Sequence, residues 1–266
     1  IKNEAQLCYL SSSINADVDW SGKYFKQTAN ITLNGEWKPI GWAIQGEVNG
    51  AKASICSYPF RGNYDGGNFT ISDLNIGSKS APADQYTSGL FGLAAGAYAS
   101  NSKPAGNEQV VRLKNIHLKN LNVYTSARYE TFAGGLVGSG ENGIYIDHCS
   151  VSGKISTATS ESFARAGGLV ANLLKGSVTN SWTDVEIDAA TDTNHVYAGG
   201  LYGMDNRATT VNCYALGNVT GGNSTNNNKV HIGGLVGQAS GVHVNCYAAG
   251  DVVSLKTTTD VGILNR

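Results

Sequence analysis

GGLVGQASGVHVNCYAAGDV, residues 233–252, decides the reading of this chain. Residues 199–219 read GGLYGMDNRATTVNCYALGNV, almost the same string. The Gly-Gly pair recurs at Gly134-Gly135, Gly167-Gly168, Gly199-Gly200 and Gly233-Gly234, at spacings of 33, 32 and 34 residues. A Leu follows each pair: Leu136, Leu169, Leu201 and Leu235. Residues 88–92, SGLFG, are a looser copy, and 261–264 is a last fragment. Self-similarity at this period is the mark of a repeat architecture.

A second anchor follows 12 to 14 residues after each pair. It is complete as Asn212-Cys213-Tyr214-Ala215 and Asn245-Cys246-Tyr247-Ala248, and weaker as Asn180-Ser181-Trp182-Thr183 and His148-Cys149-Ser150-Val151. Earlier matches begin at Asn115, Asp73 and Asn30. That makes seven rungs, spaced 43, 42, 33, 32, 32 and 33 residues apart, with extra segments at 35–59 and 94–110. From the Cys position onward the pattern alternates, as in Cys149, Val151, Gly153, Ile155 and in Ser181, Thr183, Val185, Ile187. Period two means strand, with that row inward.

The residue before the row is Asn in five rungs: Asn30, Asn115, Asn180, Asn212 and Asn245. Asn tolerates left-handed backbone and bonds within its own turn. These positions are read as bends between strands, with their side chains stacked from coil to coil. A repeat that cannot bury its own apolar row must stack on its neighbours. The expected fold is all-β: a right-handed parallel β-helix of about seven coils, each strand pairing with its equivalent in the next. It is read as one domain over 1–266, with a cap and first strand at 1–29, irregular long coils at 30–123 and regular coils at 124–266. In the lead-in, Leu7, Leu10 and Ile14 are three and four apart behind Asn3, predicting a short N-capped helix over the first coil.

The pattern GGLVG followed by NCYAxGxV resembles the GLUG motif, a short repeat of bacterial surface proteins and of immunoglobulin A peptidases outside their catalytic part. Residues 30–33, 37–41 and 60–66 resemble the segment that often precedes such repeats. The resemblance implies a bacterial surface β-helix, adhesin-like, without catalytic residues. It carries over no peptidase activity, because the zinc H-E-x-x-H motif is not in this chain.

Composition fits. There are 34 glycines and only 15% charged residues, about twice and well below the usual shares respectively. The net charge is -1 and no Lys/Arg run occurs, so the footprint of a nucleic-acid or anionic-membrane binder is missing. No apolar run approaches the roughly 20 residues that span a bilayer. No cofactor or metal is expected: the five cysteines form no C-x-x-C pair, and Cys213 and Cys246 read as stacked free thiols. The chain opens at Ile1 without a leader and stops at Arg266 where another strand begins. The expectation is a segment of a longer chain, secreted or on the cell surface.

Candidate site residues follow from the alternation. The outward residue after each Cys position is Thr32, Asn75, His117, Ser150, Trp182, Tyr214 and Tyr247. The last three form an aromatic ladder, which either stiffens the stack or offers a platform for a sugar ring. Asp184 and Glu186, with Asp188, share the outward face of Trp182. Two carboxylates on one face could serve glycoside cleavage, or belong to a solvated face. The loops 77–87, 125–131, 157–162, 189–195 and 220–229 fall at equivalent places and should line one edge. The function expected is non-catalytic binding of a host or microbial surface glycan or protein. A polysaccharide hydrolase or lyase and a purely structural stalk are the alternatives.

Overall fold

The computed structural model describes residues 1–48, 51–96, 110–223 and 230–255. The chain winds as a parallel β-helix. One sheet stacks Tyr24–Lys26, Asn63–Asp65, Val111–Lys114, Val137–Asp147, Val170–Thr179, Tyr202–Val211 and Val236–Gln238. A second stacks Ile31–Thr32, Thr70–Ser72, His117–Ala127, Ser150–Thr159, Trp182–Thr191, Tyr214–Ala215 and Tyr247–Ala248. The third stacks Thr87–Ser88, Thr131–Gly134, Ala164–Gly167, Val196–Gly199 and Val230–Gly233. Pairing within all three is parallel, and each repeat bonds to the next: Ser150 pairs with Trp182, Trp182 with Tyr214 and Tyr214 with Tyr247.

Seven coils is too many. The first two sheets do stack seven strands along their main order, but the third has five, so about four complete three-sided turns separate its ends. In place of a third-sheet strand, the earlier coils carry the segment around Pro39 and an antiparallel hairpin, Trp42–Val48 with Ala51–Tyr58. That hairpin is the extra segment noted at 35–59.

The inward rows fill one continuous core. Cys149, Val151 and Ile155 are buried, as are Ser181, Thr183, Val185 and Ile187 on the next coil. Each fully buried Val, Leu or Ile contributes about 1.5–3 kcal/mol. Toward the N-terminal end the core becomes aromatic, with Phe60 4.9 Å and Tyr64 5.9 Å from Phe91 between ring centroids. The expected helix is Glu4–Asn15; Oδ1 of Asn3 accepts the Gln6 amide at 3.0 Å, and Leu7, Leu10 and Ile14 are buried.

The Gly-Gly pairs are a matter of space rather than of dihedral angle. A Cβ on Gly168 would meet the carbonyl oxygen of Gly200 at 2.2 Å, and one on Gly200 would meet that of Gly234 at 2.2 Å. Successive corners approach so closely that only hydrogen fits. The Asn bends, by contrast, are left-handed: φ is 54° at Asn115, 50° at Asn180, 55° at Asn212 and 52° at Asn245. His148 takes the same conformation at 51°.

Two expected ladder positions fall elsewhere. Ile31 pairs with Ile71 and Ile71 with Leu118, so Asn30 stands beside Thr70 rather than at the bend. Its Oδ1 accepts the Thr70 amide at 2.9 Å. Asp73 is left-handed (φ 61°), but it pairs through its side chain with Asn120, a second bend where the register of the strand slips. The residue that occupies the bend before Asn115 is Asn68, φ 60°. The expected eighth-strand fragment 261–264, most of the segment 94–110 and most of the loop 220–229 lie outside the described residues, as does the side chain of Cys56.

Candidate binding face on the second sheet

The outward face of the second sheet carries every residue singled out as a ligand contact. Parallel pairing puts Trp182, Tyr214 and Tyr247 in one column. The rings of Trp182 and Tyr214 lie 5.9 Å apart at an interplanar angle of 2°, and those of Tyr214 and Tyr247 lie 5.1 Å apart at 8°. Parallel rings in contact are about 3.5–4 Å apart along their normal. A centroid separation of 5.9 Å exceeds the roughly 4.8 Å between coils, so the rings of Trp182 and Tyr214 are laterally offset. Trp182 and Tyr214 are half-buried, and Tyr247 is 55% exposed.

The column changes character toward the N-terminus. Ser150 follows Trp182, and its hydroxyl lies 2.8 Å from Nδ1 of His117, whose Nε2 is 3.3 Å from Oδ1 of Asn68. Burial, with a smaller contribution from His148, lowers the His117 pKa. Thr32 and Asn75 do not belong to this column, because the first two rungs sit in a different register. Asn75 belongs to a neighbouring one instead: Glu36 pairs with Asn75, Asn75 with Asn122, Asn122 with Lys154, and Lys154 with Glu186.

Asp184 and Glu186 are exposed and Asp188 is half-buried, all on the same open face as Trp182. Nζ of Lys154 reaches Glu186 at 2.7 Å, a bond that raises the lysine pKa. Oδ1 of Asn218 on the next coil accepts the Asp251 amide at 2.8 Å. Among the described residues, the Asp184 and Glu186 carboxylates face solvent rather than a site closed to water. The face offers aromatic edges, hydroxyls and paired charges in a repeating array at about 4.8 Å per coil.

The expected loops are shorter than the sequence suggested, because the second-sheet strands run on to Ala127, Thr159 and Thr191. Buried threonines tie those strand ends together: the hydroxyls of Thr125 and Thr157 are 2.7 Å apart, and those of Thr159 and Thr191 are 3.1 Å apart.

A column on the third sheet was missed. Phe132, Arg165, Tyr197 and His231 are in register. The Arg165 guanidinium lies 4.5 Å from the Phe132 centroid and 5.4 Å from that of Tyr197, and Tyr197 stacks on His231 at 4.9 Å. Each residue stands two before the first Gly of its pair, a fixed offset that the sequence does display. Also missed was the buried carboxylate of Asp205, which accepts from the Ala208 and Gly241 amides and lies 2.9 Å from Nε2 of His243. Its role is to pin the corner of the last coil. Among the described residues no three His, Cys, Asp or Glu side chains converge as a metal site, and no helix is long and apolar enough to cross a membrane.

No protein-family model matches the chain, and no curated protein matches its sequence.

Proposed function

We propose that this chain is a non-catalytic, adhesin-like protein of a bacterial surface that binds glycans along the flank of its second sheet. The observation that carries the reading is the offset ladder Trp182–Tyr214–Tyr247, with the carboxylate row of Asp184 and Glu186 beside it. The exposed parts of the rings, Tyr247 most of all, pack against the apolar face of a sugar, and the adjoining carboxylates, hydroxyls and Lys154 accept and donate to its hydroxyls. Each contact is weak, and a rigid stack sums them along a polymer. The resemblance of the Gly-Gly and Asn-Cys-Tyr-Ala strings to the GLUG repeat supports the surface location.

Cosedimentation with insoluble polysaccharides, followed by a reducing-end assay, tests the reading. The expected result is retention on at least one polymer with no new reducing ends. Release of oligosaccharides that disappears in Asp184→Asn or Glu186→Gln would make the protein a hydrolase or lyase. Absence of retention on every polymer would favour a stalk or a protein partner.

A further inference from the structure

The two ends of the stack are finished differently. At the N-terminal end the helix Glu4–Asn15 packs on the first coil and buries Leu7, Leu10 and Ile14. Toward the C-terminal end, Cys213, Ala215 and Val219 are fully buried, but their equivalents one coil on, Cys246, Ala248 and Val252, are only partly covered. Val242, Val244, Tyr247, Val253 and Leu255 are exposed around them, half of the exposed large hydrophobics of the described residues. Among the described residues no strand pairs beyond Val236–Gln238, Val242–Val244, Tyr247–Ala248 and Val252–Ser254.

This edge is set up to receive another strand. The Tyr247, Ala249 and Leu255 amides donate back to the carbonyls of Cys213, Ala215 and Gly221. Backbone groups of successive residues point to opposite sides of a strand, so the N–H and C=O of Ala248 and Val252 face the open side. Residues 256–266 number eleven, a third of the 32 to 34 that one coil takes, too few to line the edges of the first and second sheets together. For this 266-residue chain the occupant is therefore another molecule, and a second copy fits by symmetry. The helix closes the far end against head-to-tail addition, which leaves C-terminal end against C-terminal end across a two-fold axis. That axis makes the facing strands antiparallel. Placed beside Gly250, it sets Ala248 of one copy against Val252 of the other, with edge-facing groups on both. It also sets Tyr247 opposite Val253, an aromatic pair with a β-branched residue.

We infer that two copies of this chain join at their C-terminal edges into a closed dimer, the second sheet of one running on, antiparallel, into the second sheet of the other. The dimer covers the open end of both cores and cannot grow further. The join uses the end of the stack and not its flank, so it stands apart from the glycan reading.

Sedimentation velocity of the full chain across the micromolar range tests the join. The expected result is a reversible species of twice the 27.8 kDa chain mass. Ala248→Pro replaces an edge-facing N–H with a ring and removes none of the bonds to the preceding coil. It should weaken the dimer about tenfold or more. Tyr24→Lys, exposed at the opposite end, should leave the dimer unchanged. Antiparallel pairing about Gly250 also sets Ala249 of one copy opposite Asp251 of the other, with Cα atoms about 4.5 Å apart and so within disulfide range. Ala249→Cys/Asp251→Cys should form disulfide-linked dimers under mild oxidation where the wild type does not, a readout that holds if Ala248→Pro does not fold. A monomer at every concentration would overturn the proposal. A dimer that Tyr24→Lys disrupts and Ala248→Pro spares would do so too, as would failure of the double-cysteine variant to cross-link.

Discussion

Nδ2 of Asn180 donates to Oδ1 of Asp147 at 3.0 Å, where the repeat would put the side chain of another Asn. The bend residue of that coil is His148, whose ring instead lies 2.8 Å from the other oxygen of Asp147. The carboxylate one residue earlier supplies the missing acceptor. Above it the amide chain is regular, with Asn212 donating to Asn180 and Asn245 to Asn212, each at 3.2 Å. Below, Asn115 donates to Asp65 at 2.9 Å. The bends are thus joined by side chains as well as by the sheets.

Asn212 sits inside this chain of amides and in a left-handed conformation. Asn212→Ala should lower stability by about 2 kcal/mol, from two lost hydrogen bonds and a backbone penalty. Asn212→Gly should recover the backbone part and fall between. Urea midpoints of the three proteins check the order.

Gly168 has no room for a methyl group, with the Gly200 carbonyl oxygen 2.2 Å and the Thr183 side chain 3.1 Å from an added Cβ. Gly168→Ala should cost about 3 kcal/mol or abolish folding. Gly35 is a control of the opposite kind. An added Cβ there meets nothing, though its φ of 114° still disfavours a side chain. Gly35→Ala should therefore be the milder change in thermal melts.

Acid should loosen the bend ladder. Burial pushes the Asp147 pKa up, but bonds from Thr179, His148 and Asn180 together outweigh it, and the pKa is lowered. The Asp65 pKa is lowered likewise, with burial opposed by Asn115, the Gly67 amide and Lys114. A carboxyl whose folded pKa is depressed stabilises the fold above its unfolded value of about 3.9, and that contribution is lost as pH falls through the folded value. Asp147 is partly exposed, so its share is screened and small. The melting temperature should drop below about pH 4, and Asp147→Asn should flatten that drop while lowering stability at neutral pH.

Thiol reactivity should follow burial. Burial pushes Cys149 and Cys213 each up to about 12. Both are buried free thiols, whereas Cys8 is exposed on the N-terminal helix. Maleimide labelling of the native protein at pH 8, read by peptide mapping, should modify Cys8 and spare Cys149 and Cys213 until denaturant is added.

The regular half of the fold was legible because its signals are local and repeated. Gly-Gly marks the corner where backbones touch, Asn marks the left-handed bend, and alternation marks the buried row. The same rules give the Trp182–Tyr214–Tyr247 column, since like-on-like pairing follows from a constant period. They fail at Asn30 and Asp73, where insertions break that period. Asp73 is the instructive case: it is left-handed like the true bends, yet it belongs to a bend of its own with Asn120. The space beside the hairpin at 42–58 was illegible for another reason. The residues that line it, Asn15, Trp42, Tyr86 and Glu130, come from four separate segments, and only the folded chain brings them together.

The most direct measurement is a glycan array probed with the wild-type chain and with Trp182→Ala/Tyr247→Ala. The wild type should bind a defined set of extended glycans, and the variant should lose that binding while its melting temperature stays close to that of the wild type. Equal binding by both proteins would contradict the assignment of the second-sheet flank and leave the ladder a purely structural stack.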